Sequence, residues 1–248
     1  MQRVSAVLVL AMLVSSHAVA QSPLDQIWRS ITKSKGNTSI ASLSNDRITA
    51  GLKEALKVST GKAVASTGRP DGFLKNEAIK ILLPEKLRTA SRGLRLVGMG
   101  PQLDQLEVGM NRAAEQATPL AKQIFLDALY KMSINDARGI LTGGDNAATE
   151  YFRRTSADQL KTAFQPIVHD SLLKVGVLKQ YDQLTRNSLA GPLLKSKGLD
   201  MDDYVLGKTL DGLFYVLGQQ EKEIRTNPAA RTTALLQEVF GARKYKER

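Results

Sequence analysis

Arginine and carboxylate sets at helical spacing are the residues of this chain best suited to chemistry. Asn111, Arg112 and Glu115 sit within about one turn; Tyr151, Arg153 and Arg154 are near neighbours; Lys208 and Asp211 are three apart; Arg225 and Arg231 flank an Asn227-Pro228 break. A guanidinium fork binds carboxylates and phosphates through paired N–H bonds. Convergence of Asn111, Arg112, Glu115, Tyr151, Arg153, Arg154, Asp211 and Arg231 would therefore make a pocket for a small anionic ligand. The alternative for the same residues is a set of salt bridges between helices that fixes their packing. Asn111 and Glu115 are expected to lie away from the apolar face of their helix, because they fall one turn apart beside it.

Other chemistries lack their side chains. The chain has no cysteine, which excludes thiolate nucleophiles, disulfides and the acylated cysteine of a lipoprotein anchor. It has two histidines, and His17 falls in the leader described below, so His169 is the single imidazole beyond it. His169 lies nine residues past Leu160, about half a turn from the apolar face of that helix at roughly 100° per residue, and is expected to point to solvent. There is no Gly-x-Ser-x-Gly elbow for a serine nucleophile, no Walker loop and no dinucleotide fingerprint. The compact acidic groups, Asp200, Asp202 and Asp203 on one side and Asp145 with Glu150 on the other, lack calcium-loop spacing and stand at helix starts, where carboxylates complement the macrodipole. No metal and no cofactor is expected.

These side chains must be placed by elements that read as helices almost throughout. Residues 1–20 have the three parts of a cleavable signal peptide: Arg3, an apolar run over residues 4–14, and Ala18-Val19-Ala20 before Gln21. Cleavage is expected between Ala20 and Gln21, giving a periplasmic or secreted product. The apolar run of roughly ten residues is too short to span a bilayer, and the most apolar later stretch, residues 204–217, is interrupted by Lys208, Thr209 and Asp211, so no span is expected in the mature chain. Residues 21–42 read as a flexible segment, 43–241 as one all-α domain, and 242–248 as a basic tail.

Within the domain the spacing predicts about eight to ten helices. The first runs over residues 44–66 with Ser44 as cap and stops at Gly68 and Pro70; Pro70-Asp71-Gly72 makes a turn. Residues 80–83 are the nearest approach to a strand and stop at Pro84, which opens a helix to about residue 98. Pro101 opens another, with Leu103, Leu106, Met110, Ala113 and Ala117 on one face. Pro119 marks a kink or a new start, after which Ala121, Phe125, Ala128 and Met132 continue the stripe. Ser133 with Asp136, and again Ser156 with Gln159, have capping-box spacing. The second box divides a short helix capped by Asp145 from one that Pro166 should bend. A helix over residues 178–189 follows. A central apolar helix near 203–225 shows Leu206, Leu210, Leu213, Phe214 and Leu217 on one face, with Gly207, Asp211 and Gly218 as a small-residue stripe for close approach. Asn227-Pro228 opens a last helix that Gly241 closes.

Several phrases carry a resemblance. Pro70-Asp71-Gly72-Phe73-Leu74-Lys75-Asn76, Leu83-Pro84-Glu85-Lys86-Leu87, Met110-Asn111-Arg112-Ala113-Ala114-Glu115, Ala147-Ala148-Thr149-Glu150-Tyr151-Phe152-Arg153-Arg154 and Asn227-Pro228-Ala229-Ala230-Arg231-Thr232-Thr233 occur in order from about residue 43 to 241. In these the chain resembles the bacterial domain of unknown function 4197. The resemblance implies an exported bacterial protein and transfers no activity, substrate or catalytic set.

The charge balance, 35 Lys and Arg against 24 Asp and Glu, is +11 and drops by one when Arg3 leaves. Such a surface attracts anionic envelope components. The basic residues are spread out and not interleaved with aromatics, so no nucleic-acid partner is expected. The reading is a non-catalytic binding or scaffold protein of the cell envelope. The alternatives are a carboxylate-based hydrolase or lyase, which needs two carboxyls in unlike environments, and attachment to the envelope through basic charge.

Overall fold

The computed structural model describes residues 45–186, 200–230 and 237. The leader, residues 21–42, Ser44, Arg231, the remainder of the expected last helix and the basic tail lie outside them. Among the described residues the fold is all-α, as the periodicity predicts, with helices α1 (Asn45–Thr67), α2 (Glu85–Leu96), α3 (Gly100–Ala117), α4 (Ala121–Lys131), α5 (Ile134–Thr142), α6 (Ala147–Lys174), α7 (Val177–Arg186) and α8 (Met201–Thr226). Single 3-10 turns occupy Thr118–Leu120 and Pro228–Ala230. Pro119 is thus the hinge of a tight turn between α3 and α4, since a proline cannot donate to the ladder that would join them.

Helices α6 and α8 pack together at the centre, with α3 against both of them and α1 against α8, α4 and α5. The expected stripe of α3 is fully buried at Leu103, Leu106, Met110, Ala113 and Ala117. Phe125 of α4 meets Phe152 of α6 and Phe214 of α8 edge-on, at centroid distances of 5.0 and 6.1 Å. Edge-to-face aromatic pairs add to area burial through the ring quadrupole, so three helices are tied at one point.

Two expectations are corrected. The division at Ser156 does not exist, and α6 runs unbroken through it. Ala148, Phe152, Ser156, Leu160, Phe164, Val168 and Leu172 are all buried and recur every four residues, so Ser156 is a small member of a packed ridge and caps nothing. The small-residue stripe of α8 holds only at Gly218, which is buried against Asn146 and Thr149, because Gly207 and Asp211 are exposed. The close approach is at Gly212, where an added Cβ would lie 2.6 Å from the ring of Phe73. Gly212 thus lets α8 receive Phe73, which is fully buried.

Ser133 and Asp136 do form a capping box at the start of α5, and Asp200 caps α8 by accepting from the N–H groups of Asp202 and Asp203. Of the chain described, no helix is long and apolar enough to cross a membrane.

Candidate functional site

Asn111 and Glu115 lie outside the apolar stripe of α3, as the helical wheel puts them, but that side of the helix is covered. Both are buried, Glu115 at 4% exposure, and both face the segment between α1 and α2. Sequence alone could not reveal this, because that segment covers the side of α3 that its own periodicity marks as polar.

Asn111 serves an extended backbone that has no sheet to join. Its Oδ1 accepts from the N–H of Ile81 at 2.9 Å, and its Nδ2 donates to the Ile81 carbonyl at 2.8 Å and to the Glu107 carbonyl at 2.8 Å. Ile81, in the one strand-like stretch over residues 80–83, is therefore satisfied at both N–H and C=O by a side-chain amide in place of a neighbouring strand. The Tyr204 hydroxyl of α8 donates to Leu82 O at 2.9 Å and fixes the same segment from the other side.

One turn on, Glu115 holds the turn at Pro70-Asp71-Gly72. Its Oε1 accepts from the N–H groups of Phe73 and Leu74, each at 3.1 Å, and its Oε2 from Arg112 at 2.6 Å. The other end of the Arg112 fork donates to Asp71 Oδ1 at 2.6 Å, and Lys75 lies 2.7 Å from Asp71 Oδ2. Asp71 has φ 65, a left-handed conformation that aspartate tolerates through local hydrogen bonds. Lys75 and Arg112 together hold its carboxyl below the usual aspartate range. Arg112 is thus neutralised twice, which opposes its use as an anion receptor. Beside this triad runs an open cleft of about 320 Å³ bordered by Gly68, Pro70, Gln116 and Pro119.

The second polar cluster was not anticipated. Glu221 of α8 is buried at the N-terminus of α6: its Oε1 accepts from the N–H of Ala148 at 2.8 Å and its Oε2 from the N–H and the hydroxyl of Thr149, each at 2.8 Å. Arg225 donates to Glu221 Oε1 at 2.7 Å and to the Ile140 carbonyl at 2.8 Å. The cap of α6 therefore comes from a helix 72 residues away and not from Asp145, since Asn146 occupies the cap position without a side-chain bond. A carboxylate there meets both free N–H groups and the positive end of the helix dipole. The only trace in sequence is Glu221 and Arg225 four apart on an apolar helix. The adjoining cavity is about 10 Å³, the room of a single water.

The remaining described candidates, Tyr151, Arg153, Arg154 and Asp211, do not join Arg112. Tyr151 is buried with its hydroxyl donating to Ala128 O at 2.9 Å, and burial pushes its phenol up. Arg153 lies over the Phe214 ring at 4.5 Å, and Arg154 lies over Tyr151 at 5.8 Å and 3.9 Å from Asp136. Both arginines lie on aromatic faces at the margin of the core. Asp211 is exposed on α8 and Arg231 lies outside the described residues. Among the described residues no cluster suits a metal ion.

His169 meets a carboxylate that local spacing does not signal. It is half-exposed, as its spacing predicts, yet its Nδ1 is 2.7 Å from Asp202 Oδ2 of α8. The Asp202 hydrogen bond and charge raise the imidazole's pKa above its ordinary value. A raised folded value means the contribution to stability is fully present below the unfolded pKa of about 6.5 and is lost as pH rises through the folded one. His169→Gln should therefore lower the thermal midpoint more at about pH 5.5 than at about pH 8.5. An equal loss at both, measured by circular dichroism melting, would contradict the ion pair.

The family model "Protein of unknown function (DUF4197)" matches residues 42–241. The chain belongs to the DUF4197 family. No curated protein and no solved structure matches it. Three of the phrases that carried the resemblance now have physical roles in a DUF4197 chain. The 70–76 phrase is the turn held by Glu115, the 110–115 phrase supplies Asn111, Arg112 and Glu115, and the 147–154 phrase begins with the two N–H groups that Glu221 caps.

Proposed function

We propose that this DUF4197 protein is exported and works in the periplasm as a non-catalytic binding or scaffold protein of the cell envelope. The observation that carries the reading is the state of the two carboxylates buried among the described residues. Glu115 and Glu221 each have both oxygens occupied by N–H or O–H groups of the chain itself. Carboxylates so engaged hold helices and turns in place, and freeing one for a substrate would expose buried backbone donors. The leader-like start and the basic balance support the cellular setting.

The hydrolase alternative has one observation on its side: Asp71 and Glu115 meet at Arg112 beside an open cleft. Arg112 and Lys75 favour the ionised form of Asp71, which opposes the proton donor that a carboxylate pair would need.

One preparation tests both halves. Protein recovered from the periplasm should begin at Gln21, and incubation with peptidoglycan fragments, phospholipids or envelope polysaccharide should give no turnover above that of a Glu115→Gln variant. Steady turnover that vanishes in folded Glu115→Gln or Asp211→Asn protein overturns the non-catalytic reading. An intact leader on the periplasmic protein overturns the export reading.

A further inference from the structure

Helix α2 carries a surface that nothing among the described residues uses. Leu87 and Leu94 bury its inner side, and Arg95 clamps it to α3 by donating from both guanidinium nitrogens to the two oxygens of Asp104. The opposite side bears Arg88, Arg92 and Leu96, spaced i, i+4 and i+8, so the three side chains form one ridge. Neither Arg88 nor Arg92 makes an ion pair among the described residues, and Glu85 is the single acid of the helix.

The ridge ends in an apolar tip. Leu96 is 84% exposed and Val97 66%, the former more than any other large apolar side chain among the described residues. The tip is rigidly presented. Met99 N donates to Leu94 O at 2.9 Å and Gly98 N to Arg95 O at 3.1 Å, with Gly98 at φ 86, which is a Schellman termination. It folds Met99 inward and leaves Leu96 and Val97 outward on a fixed backbone.

We propose that α2 docks on the surface of an anionic phospholipid bilayer, with Arg88 and Arg92 at the headgroup phosphates and Leu96 and Val97 inserted among the acyl chains near the interface. The argument is one of complementarity. Unpaired guanidinium groups bind phosphates as forks, and an exposed leucine–valine pair beside them is disfavoured in water and favoured at the interface. This inference rests on the envelope-binding reading above and names its surface and its partner.

The test is flotation of the mature chain with vesicles of phosphatidylglycerol and phosphatidylcholine, against vesicles of phosphatidylcholine alone. The expected result is binding to the anionic vesicles at low salt, weakening as salt rises, and little to the neutral ones. Each cation at such a surface contributes on the order of fivefold, so Arg88→Gln with Arg92→Gln should weaken binding about 20-fold. Leu96→Ser with Val97→Ser should weaken it about tenfold with the charge unchanged. Lys57→Gln with Lys62→Gln, the same charge loss on exposed positions of α1, should cost less than about threefold. These positions are exposed, so circular dichroism should show every variant folded.

Absence of wild-type binding at low salt overturns the proposal. So does an equal loss from the α1 pair, which would mean net charge alone, or full binding by the Leu96 and Val97 double variant. Any of these leaves the non-catalytic reading to be decided by turnover, which is a separate measurement.

Discussion

Replacing Glu221 by alanine is expected to lower the unfolding free energy by about 3–5 kcal/mol, the range for removing one partner of a buried ion pair. The side chains of Glu221 and Arg225 are 4% and 3% exposed, so solvent cannot take over the lost bonds. Alanine leaves two backbone N–H groups at the start of α6, the Thr149 hydroxyl and the Arg225 guanidinium without their carboxylate. In a domain of this size the loss corresponds to a fall of roughly 10 °C in the midpoint. Glu221→Gln should recover less than half of it, because an amide presents one acceptor where the site needs two and leaves the arginine charge uncompensated. Chemical denaturation checks both, and the deficit should persist in salt, since buried pairs are weakly screened. A loss below about 1 kcal/mol would mean that the cap is not formed in solution.

Glu115→Ala is the second large effect, about 2–4 kcal/mol. The Arg112 side chain is 33% exposed and keeps Asp71, which reduces the charge penalty relative to the Glu221 site. The N–H groups of Phe73 and Leu74 lose their acceptor, and with them goes the link that seats Phe73 against Gly212 of α8. The consequence is local as well as global. Amide exchange at Phe73 and Leu74 should speed up far more than at the α6–α8 centre, because the turn can open without unpacking the bundle. Glu115→Gln keeps the backbone-facing oxygen and should lose about half as much. Uniform acceleration of exchange across the domain would show instead that the turn is part of the cooperative core.

Sequence alone determined most of the described helix starts and stops, the false division at Ser156 excepted, for a local reason. Apolar residues recurring every three to four positions, Pro84 and Pro101 near helix starts, Gly98 and Gly143 near their ends and the Ser133–Asp136 box all act within a few residues, so the chain carries their effects on its face. The phrases of the family were legible in the same way, as strings.

The destinations of the polar side chains were decided only in three dimensions. Asn111 and Glu115 read as polar positions outside the apolar stripe, and they are outside it, but the 70–83 segment folds over that side and buries them. Ser156 and Gln159 match a box whose condition is a free helix end, and α6 has none there because its packed ridge continues past Ser156. Glu221 caps N–H groups that lie 72 and 73 residues earlier, a distance over which local spacing carries no signal. Helix periodicity says which side of a helix is dry; only the packing of remote segments decides which polar groups must then find their partners inside.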